Sequence, residues 1–179
     1  GAEFFFVFAA GKFTAWVSYT YSRSARKFAT VNNETWYPSR FDRTHDLSIV
    51  LMYDITPRIN VSATWVYYTG IATTFPIGKY VLNGEIIPLY GDRNQDRFPA
   101  YHRLDIGATF VLKKRKTWEH DLNISVYNLY AQKNAYSIEL KTDYDNGTTF
   151  AEKTYLFRIV PSVTYNFKFS VTPKAKKVK

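Results

Sequence analysis

The sequence predicts an all-β protein, a transmembrane antiparallel β-barrel present as about seven C-terminal strands of a larger barrel. Three observations carry this. Residues 155–169, YLFRIVPSVTYNFKF, end in unbroken alternation. Val163, Tyr165, Phe167 and Phe169 fall on one face, and Ser162, Thr164, Asn166 and Lys168 on the other. Period two over this length means a strand with one apolar and one wet face. An aromatic outer face over a polar inner face suits a barrel strand between lipid and lumen. Aromatic residues make up 18% of the chain, which fits girdles at two membrane interfaces, where Tyr and Trp place an apolar body and a polar tip. Connections between the strands alternate short and long, as in barrels with short periplasmic turns and long outer loops.

Each strand reads the same way. Near the start, Phe4, Phe6 and Phe8 share a face, and residues 10–12 turn. Phe13, Ala15, Val17, Tyr19 and Tyr21 then alternate with Thr14, Trp16, Ser18, Thr20 and Ser22. That length is near the ~9–11 residues a tilted strand needs to cross a bilayer. After a polar connection over 22–39, a strand over 43–55 places Leu47, Ile49, Leu51 and Tyr53 opposite Asp46, Ser48, Val50, Met52 and Asp54. Carboxylates there would be costly in a dry core but not on a face that lines water. Pro57 fixes a tight turn. Ile59, Val61, Ala63, Trp65 and Tyr67 form the next apolar row. Residues 70–100 read as a long loop rich in Gly, Pro and charge. His102, Leu104, Ile106, Ala108, Phe110 and Leu112 alternate with Arg103, Asp105, Gly107 and Thr109. A turn over 113–117 precedes Leu122, Ile124 and Val126, in a strand expected to run on toward Leu140. DYDNG at 143–147 signals a turn before the last strand.

Composition excludes several alternatives. With no Cys there is neither a disulfide framework nor a thiolate metal site. The longest apolar run, residues 4–10, is far short of the ~20 residues of a spanning helix. A mean hydropathy of −0.30 is expected when every second residue faces water. No basic segment leads into an apolar one at the start, so an export signal is expected outside this sequence. The net charge is +9, with Lys174, Lys176, Lys177 and Lys179 in an acid-free tail. Residues 170–179 read as a basic flexible tail after a barrel portion over 1–169. No nucleic-acid motif accompanies that charge. Seven strands cannot close a barrel by themselves, and hydrocarbon does not tolerate open sheet edges, so the remaining strands are expected elsewhere.

Six stretches in order resemble the C-terminal barrel of TonB-dependent outer-membrane receptors, especially those of Bacteroidota. They are GKFTAWVSYTYSRS (11–24), FDRTHDLSIVLMYDI (41–55), WVYYTG (65–70), RFPAYHRLDIGATF (97–110), SVYNLYAQKN (125–134) and the Phe-ending last strand. The resemblance implies a bacterial outer-membrane location and a barrel of about 22 strands with a plugged lumen. It implies import of a scarce nutrient such as an iron–siderophore, haem or cobalamin. The implied partners are the rest of the barrel and its plug, TonB acting through an N-terminal part not in this sequence, outer-membrane lipid and lipopolysaccharide. The barrel assembly machinery would read the terminal strand through Val163, Tyr165, Phe167 and Phe169. Such barrels commonly stop at the terminal aromatic, whereas this chain continues to residue 179.

No catalytic group is expected and no cofactor. His45, His102 and His120 lie on different strands without ligand spacing. Asp92, Asn94 and Asp96 have the one-three-five spacing of a Ca²⁺ loop, but Arg97 and Arg103 stand where its Gly and Glu belong. The sequons at Asn33, Asn60, Asn123 and Asn146 are read as coincidental. Binding residues concentrate on loops held by rigid scaffolds, so Asp92, Arg93, Asn94, Asp96 and Arg97 are the candidates for ligand contact. Two charge clusters, Asp42–Arg43–His45–Asp46 and His102–Arg103–Asp105, mark strand starts at the outer rim, as ties between strands or as contacts for ligand or headgroups. Two other functions stay open: a structural or docking outer-membrane barrel subunit within a larger complex, and a soluble ligand-binding β-barrel.

Overall fold

The computed structural model describes residues 1–143 and 147–169. Seven long strands form one antiparallel sheet in simple up-and-down order. We number them β1 (Ala2–Ala10), β2 (Phe13–Tyr21), β3 (His45–Thr56), β4 (Ile59–Tyr68), β5 (Tyr101–Lys114), β6 (Trp118–Tyr127) and β7 (Val160–Phe169). Each pairs with its sequence neighbour, and the sheet does not close on itself. Among the described residues β1 and β7 therefore each keep one unpaired edge. Among the same residues no helix is long and apolar enough to cross a membrane.

The register aligns the alternations of separate strands into continuous rows. Phe8, Ala15, Leu51, Ala63, Ile106, Val126 and Pro161 follow one another across all seven strands on one face. The row above it runs from Phe13 through Tyr53, Val61, Ala108 and Ile124 to Val163. A one-residue slip anywhere would throw these side chains onto the opposite face, so the hydrophobic pattern fixes the pairing. The opposite face carries Thr14, Met52, Ser62, Gly107, Ser125 and Ser162, and beside them Asp54, Asn60, Thr109, Asn123 and Thr164.

Among the described residues no second layer covers the apolar face. Val163, Tyr165 and Phe167 are 68%, 57% and 46% exposed. The only buried hydrophobic residues among those described, Tyr37 and Ala72, lie in the connections rather than the sheet. Asp121, on the polar face, is 4% exposed. The small side chains of Ala63 and Ala108 leave a hollow in the apolar face, walled by Leu51, Tyr53, Ile106 and Ile124.

The turn end of the sheet is tight. Gly11 takes a positive φ of 57° in the β1–β2 turn, where a residue without Cβ is unstrained. Adjacent turns share backbone bonds: Asp54 N donates to Lys12 O and Val111 N to Arg58 O, both at 2.8 Å. At the opposite end the connections over 22–44, 69–100 and 128–159 carry structure of their own. The 69–100 segment, expected as a loop, contains a hairpin of Pro76–Leu82 with Glu85–Tyr90 and a short pairing of Ala72–Thr73 with Asp96–Arg97. Asn83 and Gly84 supply the two positive φ values of its turn.

Two expected boundaries move. β6 stops at Tyr127 instead of running toward Leu140, because Asn128 turns the chain with φ 54° and fastens it through Gln132. Ser137–Thr142 is instead one arm of a separate hairpin with Thr149–Thr154. The last strand begins at Val160, not Tyr155. In β5 the pairing shifts between Val111 and Lys113, so Leu112 has no partner on β6 and Lys113 pairs with His120. β1 is apolar on both faces, with Phe5 and Val7 exposed opposite Phe4, Phe6 and Phe8. The DYDNG turn falls partly on residues 144–146, and the tail over 170–179, with the Asn146 sequon, also lies outside the described residues.

Candidate functional site

The loop end of the sheet gathers most of the polar side chains that sequence reading singled out. Two connections interlock there. Residues 22–44 make a short ladder, Ala25–Arg26 against Tyr37–Pro38, bridged by a turn in which Asn32, Asn33 and Glu34 all have positive φ. Asn adopts that backbone more readily than most residues, which places it here. The Asn32 amide meets the backbone of Arg93 reciprocally: Nδ2 donates to Arg93 O at 2.9 Å, and Arg93 N donates to Oδ1 at 2.8 Å. Asn94 Nδ2 donates to Pro38 O at 2.8 Å. Asp42, 2% exposed, forms an ion pair with Arg97 and accepts a hydrogen bond from Ser24 N. Arg97 Nη1 also donates to Asp42 O and Gly70 O. A Cβ on Gly70 would lie 1.7 Å from Phe98 O, so only glycine permits this approach.

The five loop candidates therefore divide. Asn94, Asp96 and Arg97 are spent on holding the loops together, Asp96 by accepting from Phe75 N at 3.0 Å. Asp92 and Arg93 have exposed side chains. Among the described residues no group of three or more His, Cys, Asp or Glu is placed to hold a metal.

Both charge clusters are split by the strand pleat. His45 and His102 turn to the apolar face, while Arg103 and Asp105 turn to the polar face. All three histidines meet a tyrosine hydroxyl: His45 with Tyr19 at 2.8 Å, His102 with Tyr130 at 2.9 Å and His120 with Tyr165 at 2.9 Å. They sit at the strand ends that border the apolar band. At the turn end Trp118 and Phe167 flank His120, Phe169 packs on Phe167, and Lys113 lies 5.6 Å over the Trp118 ring. Rings with polar tips at the edge of an apolar band suit a membrane interface.

On the polar face, just beneath the loops, the fold assembles a cluster that sequence reading missed. Tyr68 and Tyr101, opposite each other on β4 and β5, stack at 4.4 Å with 3° between planes. Arg43 lies 4.1 Å over Tyr68, and Arg103 4.2 Å over Tyr127. Arg103 Nη1 donates to the Tyr101 hydroxyl at 2.9 Å, which lies 3.2 Å from the Tyr127 hydroxyl. The buried Arg103 Nε faces Asp105 Oδ2 at 2.9 Å as an ion pair without hydrogen-bond alignment. Asp105 Oδ1 meanwhile accepts from Asn128 N. The result is an aromatic stack with a guanidinium at each side, which places two positive charges together on the polar face. The available signal was tyrosines at neighbouring strand ends, visible only once the register is known.

No protein-family model, curated protein or solved structure matches the chain.

Proposed function

We propose that this chain forms part of the wall of a bacterial outer-membrane β-barrel, the C-terminal portion of a TonB-dependent receptor that imports a scarce nutrient. The observation that carries the reading is the pair of apolar rows, one crossing all seven strands and one six, on a face that no other described residues cover. A contiguous apolar surface of this extent is unfavourable in water and favourable against acyl chains. Strand lengths of 9 to 14 residues fit a crossing, and the ladder satisfies the backbone within the sheet. The two free edges call for neighbouring strands, so the chain completes a larger ring with the rest of the barrel and its plug. Dependence on TonB and the nutrient class come from the resemblance of the six stretches. The Arg43–Tyr68–Tyr101–Arg103 cluster lies on the side that would be the lumen, where an anionic solute entering beneath the loops would meet its charge.

A second reading, a docking subunit of a larger outer-membrane complex, draws on the exposed apolar side chains of the two loop hairpins, among them Tyr80, Val81, Leu82 and Phe150. One experiment orders the readings. The gene is tagged in its host, membranes are fractionated, and uptake is compared between wild type and Arg43→Gln/Arg103→Gln. The importer reading expects outer-membrane recovery of both forms and a loss of uptake in the variant. Outer-membrane recovery with no uptake phenotype on deleting the gene favours docking. Recovery in the soluble fraction removes both.

A further inference from the structure

A pocket of about 230 Å³ opens between the two interlocked connections, and its walls carry an unbalanced charge. Three of its lining residues are Arg26, Arg40 and Arg93; Tyr37, Phe41 and Asn94 contribute further, and no carboxylate lines it. The arginines come from three separate stretches, so nothing in the local sequence foretells the meeting. None of the three forms an ion pair among the described residues. The nearby Asp42 is already committed to Arg97. Three like charges converging on one pocket raise its positive potential and favour an anion there.

The backbone beneath each arginine is fixed, which separates this pocket from a chance of mobile surface charge. Arg26 lies in the short ladder opposite Tyr37, itself 5% exposed. Arg40 sits in the turn closed by Asp42 N donating to Ser39 O at 2.9 Å, and Ser39 N donates to Ser24 O at 2.8 Å. Arg93 is clamped by the Asn32 amide, and Asn94 beside it bonds Pro38 O. The side chains stay exposed and free to close on a ligand. Guanidinium forks from several directions match a tetrahedral oxyanion, whose oxygens accept paired N–H bonds.

We propose that Arg26, Arg40 and Arg93 form a binding site for a phosphate-class anion, either a free phosphorylated solute or the phosphate of a lipid headgroup. The site stands on the loop geometry and does not depend on the import reading. The test uses the assembled protein containing this chain, extracted from its host membrane. Binding is measured by equilibrium dialysis with inorganic phosphate, and by pull-down on phosphatidylcholine nanodiscs with or without lipid A. Phosphate binding in detergent supports the site with a soluble source. Retention only on lipid A nanodiscs supports it with a headgroup source. Either affinity should fall with added salt and drop about tenfold or more in Arg26→Gln/Arg40→Gln/Arg93→Gln, as loss of several charge-assisted bonds requires. Arg40→Gln alone, in an exposed turn, should give about a threefold loss and serves if the triple variant fails to assemble. Wild-type protein that binds neither probe, or variants that bind as tightly as wild type, overturn the proposal.

Discussion

The two faces of the sheet are built from the same strands yet held by different physics. The apolar face has rows of side chains in register and, among the described residues, its polar pairs only at the strand ends, where His45, His102 and His120 meet tyrosines. The polar face is tied across strands along its length. Asn123 Nδ2 donates to Thr109 Oγ1 at 2.9 Å, Asn166 Nδ2 to Asp121 Oδ1 at 2.7 Å, and Lys168 reaches Asp121 at 3.4 Å. One face is thus tied by its own side-chain bonds, and the other leaves its apolar rows exposed. This asymmetry is inverted relative to a water-soluble sandwich, in which the apolar rows would be the crowded ones.

Four substitutions sharpen the contrast. Leu51→Arg places a charge in the middle of an apolar row and should destabilise the proposed barrel in lipid by about 2–4 kcal/mol, whereas Val50→Arg, one residue along on the polar face, should cost less than about half that. Urea titration in lipid vesicles measures the difference. Asp121→Ala removes the acceptor shared by Asn166 and Lys168 and should cost about 2 kcal/mol, read in the same titration as earlier loss of β7. Asn123→Ala breaks one neutral bond to Thr109 on the partly open polar face, and about 1 kcal/mol is expected.

How far the sequence could be read follows the same division. Strand positions and the choice of face were legible because period two is local information; Val61, Ala63 and Trp65 announce their face without reference to any partner. The short turns at Gly11 and Pro57 were legible for the same reason. The ends of β6 and β7 were not, since Asn128 stops β6 by a bond to Gln132 that alternation does not reveal. The interior of 69–100 was underestimated because its hairpin mixes Pro and Gly with apolar residues and so lacks the alternation of the wall strands. Within the candidate site, Arg93 was singled out for its loop, but its companions Arg26 and Arg40 lie more than fifty residues earlier in the chain. The Tyr68–Tyr101–Tyr127 cluster likewise depends on register across three strands. Arg97, expected to touch ligand, proves to be the partner of a buried aspartate, a pairing that only the folded loops disclose.

The orientation of the faces toward lipid is open to one direct measurement. The chain has no cysteine, so spin labels can be placed singly at Leu51 and Val163 on the apolar face and at Ser48 and Asn123 on the polar face. With the assembled protein in lipid bilayers, collision with oxygen, which concentrates in acyl chains, is compared with collision with a water-soluble nickel chelate. Labels at Leu51 and Val163 should collide mainly with oxygen, and those at Ser48 and Asn123 should show the lower oxygen-to-nickel ratio. Labels at Leu51 and Val163 shielded from both, or meeting the nickel chelate as freely as Ser48 does, would contradict the account.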